Sequence, residues 1–294
     1  MNGMSYKTQR KLVIIGFLAV PVLLLLTFTY YPAVRLIYYS FTDWDGLNNH
    51  VSWLGIDNYR EIFSNPDLFG VFVHQIPYVV VGVVQNIVAL LFAVILNSKL
   101  RGRNVFRVIL FLPFIMNAVA VAFMFQYVFD TTTGSLNSLL GLLGLDSWKQ
   151  SWLGNTSIVN YSLASIGFWR FMGYNMVIYL GALQSIPADM YEAAKLDGAG
   201  RMQTLWHMTL PNMTKIIQLN MFLTLSGAIA VFDLPFVLTH GGPAGASETF
   251  VLKTVETAFQ FNNFGLASAM SVVLLVLTIL ILGLQNLVIK RKEG

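Results

Sequence analysis

The chain has 294 residues, of which 56% are apolar and 11% charged, with a formal net charge of +4 and no cysteine. A soluble domain carries roughly a quarter charged residues, and no water-soluble core hides this much apolar surface, so the bilayer is the predicted solvent. The lack of cysteine excludes disulfides, thiolate catalysis and cysteine-ligated metals.

A spanning helix needs about 20 mainly apolar residues, and its backbone groups must be satisfied internally because lipid offers them no partner. Six segments meet that requirement: residues 12–34, 77–97, 105–129, 159–182, 216–238 and 267–289. The predicted fold class is therefore an all-α integral membrane protein with six transmembrane helices. No short repeat and no low-complexity linker divides the chain, so residues 1–294 read as one domain. Lys7, Arg10 and Lys11 ahead of the first span resemble the start of a secretory signal. No small-residue cleavage site closes that run, and Tyr30, Tyr31 and Pro32 follow it, so it reads as a retained anchor with interfacial aromatics.

Orientation follows from the cations. With a cytoplasmic N-terminus the inner segments hold Lys7, Arg10, Lys11, Lys99, Arg101, Arg103, Arg107, Lys195, Arg201, Lys215, Lys290, Arg291 and Lys292, thirteen of the eighteen. The outer loops hold Arg35, Arg60, Lys149 and Lys253, and Arg170 lies within the fourth span. Both termini are predicted to be cytoplasmic in a multi-pass protein of the cell membrane. The positive charge is then a product of topology and gives no reason to expect nucleic-acid binding.

The first outer segment, 40–76, carries Asp43, Asp45, Asp57, Glu61 and Asp67 among Trp44, Trp53, Tyr59 and Phe63, enough for a small structured cap. The third span contains Pro113, expected to kink it, and Gln126. The second outer segment, 130–158, adds Gly134, Gly141, Gly144 and Gly154 with Trp148 and Trp152. Aromatic side chains in such loops either anchor at the interface or stack on a passing sugar ring.

Within the spans, Arg170 and Asp233 stand out because ionisable groups at that depth are expensive and face a cavity or each other. Two readings follow, a structural ion pair or a lining of the solute path. Asn175 and Gln126 are weaker candidates for that path, because polar span residues also serve helix packing. Pro235 is expected to kink the fifth span.

Between spans four and five lies a polar loop, 184–215. Pro187 suits a first helical turn, and Asp189 and Glu192 suit the positive end of a helix dipole. Ala193 and Ala194 leave one side of this short helix smooth, and Asp197-Gly198 is a break at which Gly198 can take a positive φ. A second short helix over about 201–209 is expected to stop at Leu210-Pro211. Together the two pieces form a compact knob.

Glu192-Ala193-Ala194, Gly198, and Leu210-Pro211 stand in the register of the signature of membrane subunits of binding-protein-dependent ABC importers, which the chain resembles. Met208 occupies the position where that family usually has isoleucine. Further stretches are similar to the carbohydrate-uptake branch: Ser40-Phe41-Thr42-Asp43-Trp44, Gly55-Ile56-Asp57-Asn58-Tyr59, Leu112-Pro113, Gln184-Ser185-Ile186-Pro187 and Gly241-Gly242-Pro243. The resemblance covers nearly the whole length. It implies a permease subunit that works with a second, related permease, two cytoplasmic ATPase subunits and an extracellular solute-binding protein, and that passes a sugar or small oligosaccharide. It also implies that the knob docks on the ATPase through Glu192, Ala193, Ala194, Asp197, Gly198, Leu210 and Pro211.

No phosphate-binding Gly-x4-Gly-Lys-Ser/Thr loop occurs, so ATP and Mg are expected in the partner ATPase and no cofactor on this chain. His50, His74, His207 and His240 form no metal-ligand spacing, and Asp43-Trp44-Asp45-Gly46 is too short for a calcium loop, so neither a metal site nor an enzyme is expected. The rival function is an ion-coupled secondary transporter using Arg170 and Asp233 as a relay. It accounts for the spans and leaves the knob unexplained.

Overall fold

A computed structural model of the chain describes residues 5–290 apart from 49 and 99. The cations Lys99, Arg291 and Lys292 lie outside the described residues. In chain order the helices are α1 (Tyr6–Leu25), α2 (Tyr31–Tyr39), α3 (Asp57–Ser64), α4 (Pro66–Phe69), α5 (Ile76–Leu96), α6 (Arg103–Ile115), α7 (Ala118–Val128), α8 (Ser135–Leu142), α9 (Val159–Gln184), α10 (Ala188–Leu196), α11 (Arg201–Thr204), α12 (Leu210–Ile229), α13 (Phe250–Phe259) and α14 (Phe264–Lys290). Among the described residues there is no strand, only one isolated antiparallel bridge between Thr42 and Trp53.

Among the described residues, three helical runs are long and apolar enough to cross a membrane by themselves, Tyr6–Tyr39, Pro66–Leu96 and Phe264–Gln285. A fourth candidate is the pair α6 and α7, bent by 100° at the break between them. That break departs from the single kinked span expected over 105–129. Pro113 sits inside α6, Met116 is extended, and the Asn117 side chain then accepts from the backbone N–H groups of Val119 and Ala120, starting a new helix. Helices α9 and α12 have 26 and 20 residues but fall outside the apolar set, because Asn160, Arg170 and Asn175 in one and Asn212, Lys215 and Asn220 in the other dilute their apolarity.

Two prolines expected near helix ends are carried within helical runs instead. Pro32 and Pro211 each stand two residues after a five-residue π turn, Leu26–Tyr30 and Leu205–Thr209. Proline lacks the N–H that would bond the carbonyl four residues back and its ring collides with that carbonyl; the wider π turn opens the space. The knob's second helix therefore does not stop at Pro211. It runs from α11 through the π turn into α12 without interruption.

The chain divides into two compact units, residues 1–65 with 254–275 and residues 66–253 with 276–294. In the first, the loop after α2 forms the aromatic cap expected from its composition. Tyr39 stacks on Trp44, Phe41 stacks on Trp53, and the buried Asn58 amide donates to the carbonyls of Ser40 and Thr42. Gly265 brings its backbone against this loop, donating to the Trp44 carbonyl, and a Cβ there would strike the Thr42 carbonyl. No residue of α1 or α2 is buried.

The second unit is built around α9. Buried side chains occur all around this helix, as expected of one enclosed by others, and α5, α6 and α12 pack on it. One apolar cluster joins Ala89, Ala93, Met176, Tyr179, Leu183 and Met213; another joins Tyr78, Val121, Leu163, Ile166, Ala228 and Leu234. Gly173 lets α6 approach closely, since a Cβ there would meet the Leu110 carbonyl.

Candidate functional site

Helix α12 ends at Ile229, inside the span expected over 216–238, and Pro235 opens a separate π turn, Pro235–Thr239. The kink expected at Pro235 is thus a break over residues 230–232, after which Asp233 and Leu234 open the helical run that leads into the π turn. The carbonyls released there are satisfied from neighbouring elements: the Gln75 amide donates to Ile229 and the Thr249 hydroxyl to Val231. Irregular backbone at such depth is tolerated where it lines a cavity or is enclosed by protein.

A cavity of about 570 Å³ opens beside this break, within the roughly 300–1,000 Å³ range of small-ligand clefts. Helical spacing brings one face of each wall helix to it: Tyr78, Gly82 and Gln85 from α5, Gly167, Arg170, Phe171 and Tyr174 from α9, and Thr224, Gly227 and Ala228 from α12. Phe114 of α6, Phe232 of the break and Asp233 just beyond it also line the cavity.

Arg170 and Asp233 meet here, Nη1 to Oδ2 at 3.4 Å. The ion pair and the cavity lining, alternatives in the sequence, coexist. Arg170 also donates from Nη2 to the Met116 carbonyl at the α6–α7 break, and its guanidinium lies 5.2 Å from the Phe171 ring centroid. Its side chain is 14% exposed and that of Asp233 is 49% exposed. Asn175 is 3% exposed and lines the same cavity. Two buried donors on these residues, Arg170 Nε and Asn175 Nδ2, have no partner among the described residues. Unpaired buried donors are costly, and both atoms are covered by neighbouring groups and not open to the cavity. Gln126, the fourth candidate, is exposed on α7 and stands apart from the lining.

Sequence reasoning missed the aromatic wall. Phe114 stacks on Tyr174 at 4.4 Å and packs edgewise on Phe171. The signal available was the spacing of Gly167, Arg170, Phe171 and Tyr174, which puts them on one helical face. Beside the cavity a buried polar cluster ties three helices together. Asn86 donates to Thr224 Oγ1 at 2.8 Å, and its side-chain oxygen accepts from Tyr179 and Asn220.

In the loop 184–215, Pro187 is the N-cap of α10, with φ −57° and ψ 138°. Glu192 and Ala193 are exposed, Ala194 is partly covered, and Asp197 closes the helix, followed by Gly198 at φ +79°. The N–H of Ala199 bonds the carbonyl of Ala194 and that of Gly198 bonds Lys195, the pairing that ends a helix with a left-handed glycine. Leu196 is 88% exposed, and Met202 and Trp206 are exposed as well. Leu210 and Pro211 sit in the first turn of α12. The Tyr191 and Thr209 hydroxyls, 3.5 Å apart, link the two arms.

Farther along, the turn after α7 is held by Asp130, whose carboxylate accepts from the backbone and hydroxyls of Thr132 and Thr133. The Thr133 N–H leads the bonds that hold its pKa down at about 2. Asn137 gathers the Thr131 and Gln150 carbonyls and the Trp152 indole around its amide.

A multi-pass helical protein with an aromatic-walled cavity holding an ion pair among its wall helices and an exposed helical knob continuous with one of them has the architecture of a transporter's membrane subunit. Residues 85–294 match the family described as binding-protein-dependent transport system inner membrane component, and the chain belongs to that family. It is 34% identical over 274 residues to the "Probable ABC transporter permease protein YurN" of Bacillus subtilis strain 168, covering 92% of this chain and 94% of that protein. It is 30% identical to the "Multiple sugar-binding transport system permease protein MsmF" of Streptococcus mutans, with 94% and 95% covered. A crystal structure of a bacterial ABC transporter involved in the import of the acidic polysaccharide alginate contains a chain of the same fold, with a TM-score of 0.84, 21% identity and 97% of each chain covered. The protein is an ABC importer permease subunit.

Proposed function

We propose that this permease passes a sugar or small oligosaccharide through the cavity beside the 230–232 break, and that the knob at 184–215 couples it to a cytoplasmic ATPase. The observation that carries the proposal is one cavity that combines an aromatic wall of Phe114, Phe171 and Tyr174 with the half-exposed Asp233 carboxylate. Hydroxyl groups of a saccharide can donate to that carboxylate, and its apolar ring faces suit Tyr174, Phe171 and Phe114. A relative named for multiple sugars supports the same solute class.

In this reading the chain is a non-catalytic six-span subunit, a single permease domain with both termini in the cytoplasm. ATP and Mg are handled by two partner ATPase subunits. A second, related permease completes the pathway, and an extracellular binding protein delivers the solute. Glu192, Ala193, Ala194, Asp197, Gly198, Leu210 and Pro211 form the docking element, with the exposed Leu196 and Met202 as apolar anchors beside them.

The test is purification from native membranes through a C-terminal tag, with identification of stoichiometric partners, followed by uptake in reconstituted vesicles. Co-purification of an ATPase and a second permease, with uptake that stops when ATP hydrolysis is blocked, is the expected result. A chain that purifies alone and loses uptake on collapse of an ion gradient overturns it.

A further inference from the structure

Among the described residues, Arg170 and Asp233 are the only formally charged side chains in the cavity lining. The cavity is therefore charge-balanced, and its cation is already occupied. Arg170 is held at three points, by Asp233, by the Met116 carbonyl and over the Phe171 ring, whereas Asp233 opens the short helical run beyond the break and is the more open of the two. An uncharged saccharide can donate to the exposed Asp233 carboxylate without disturbing the pair. A ring bearing a carboxylate meets like charge at Asp233, and its own charge is stripped of water with no free cation to receive it. We propose that Asp233 is a specificity-determining residue that restricts this cavity to uncharged saccharides by excluding acidic ones. Exclusion by a repulsive group, rather than by added affinity for the chosen solute, is a general route to discrimination. The inference rests on the reading of this cavity as the solute site.

The absence of cysteine makes a direct test available. Gly227 lines the cavity, and a Cβ added there meets nothing within 4 Å, so Gly227→Cys places one thiol inside it. The transporter co-purified through the tagged chain, held in lipid nanodiscs with labelling read on this chain's own peptides, is challenged with N-ethylmaleimide in the presence of maltotriose or trigalacturonate. In parallel the thiol is challenged with anionic and cationic methanethiosulfonates. With the pair intact, maltotriose is expected to protect the thiol at least about tenfold better than trigalacturonate, the scale of a partly desolvated charge contact. Adding Asp233→Asn should raise trigalacturonate protection about tenfold, change maltotriose protection less than about threefold, and speed the anionic reagent relative to the cationic one. Those gains should shrink as salt rises.

Asp233→Asn leaves an uncompensated arginine and risks misfolding, so the double variant Arg170→Gln with Asp233→Asn is measured beside it. Both charges are then gone, and the preference for maltotriose should fall well below that of the parent while the two methanethiosulfonates react at the ratio of a free thiol. Equal protection by both glycans with the pair intact, or an equal shift of both on Asp233→Asn, overturns the assignment while leaving the cavity as the solute site. If the methanethiosulfonates enter but no glycan protects in any variant, the solute-site reading falls and this inference with it.

Discussion

The Tyr179 hydroxyl of α9 donates to the side-chain oxygen of Asn86 on α5 across 2.6 Å, and Asn220 of α12 donates to the same oxygen at 3.0 Å. Three wall helices are thereby joined at one buried atom. Tyr179→Phe removes one donor and leaves the acceptor satisfied by Asn220, so a loss of about 1 kcal/mol is expected. Asn86→Leu strips partners from Tyr179, Asn220 and Thr224 together and should cost roughly 3 kcal/mol or more, since each buried orphan carries its own desolvation penalty of about 1–3 kcal/mol. Thermal unfolding of the detergent-solubilised variants, followed by circular dichroism, ranks the two; equal losses would show that the Asn86 cluster does not act as a unit.

Within α9 two glycines make opposite predictions. A Cβ on Gly173 would overlap the Leu110 backbone, whereas one on Gly181 meets nothing within 4 Å. Gly173→Ala should destabilise by about 1–3 kcal/mol through overpacking against a group that has no side-chain freedom to yield. Gly181→Ala should be neutral or stabilising by up to about 1 kcal/mol from helix propensity. The same unfolding measurement compares them.

Gly198 has open space around the place of a Cβ and a φ of +79°, so a substitution there acts through backbone strain and not through collision. Gly198→Val should distort the end of α10 and reduce ATP-driven uptake at least about tenfold, given that a β-branched residue is a true outlier in this region. Gly198→Asn should be intermediate, because asparagine tolerates the left-handed conformation. Membrane insertion, checked by fractionation, should be unchanged in both. Wild-type uptake by Gly198→Val would remove the knob's bend from the mechanism.

Asp130 gives a pH dependence whose sign can be worked out. Its pKa is lowered from 3.8 to about 2 by the Thr133 N–H and then by the hydroxyl of Thr132 and the other bonds of the turn. A lowered folded pKa means that the turn's contribution is fully present above the unfolded value of 3.8 and is lost as pH falls through about 2. Pepsin, active in that window, should leave residues 130–158 intact near pH 4 and cut them near pH 2. In Asp130→Asn, cleavage attributable to this turn should show no such step, because the group no longer titrates.

What the sequence revealed depended on whether the cause was local. Gly198 was legible as a helix terminator because a residue free to take positive φ at that position needs no tertiary context. The walls α5 and α9 were legible as long helices for the same reason. The break at residues 230–232 was not, since the Gln75 and Thr249 side chains that satisfy the carbonyls around it come from other elements. Pro211 misled because proline is a helix stop only where no π turn precedes it. In the cavity, the cost of burying charge marked Arg170 and Asp233 in advance. Tyr174 and Phe114 carried no such mark, because aromatic residues are common throughout these spans, and Gln126 drew notice for a polarity that its exposed position on α7 leaves without a role in the lining.

The uninterrupted run from Arg201 to Ile229 has a mechanical consequence. At about 1.5 Å per residue, roughly 39 Å of helix separates Arg201 from Gly227, and no loop lies between them. The knob's second arm and one wall of the cavity are the two ends of a single pushrod. The first arm is attached differently, through the glycine turn at Gly198, which bends where the rod does not. A displacement applied to the knob would therefore reach Thr224 and Gly227 as axial travel and rotation of that rod, with the Leu205–Thr209 turn setting the angular offset between the face that is pushed and the face that lines the cavity.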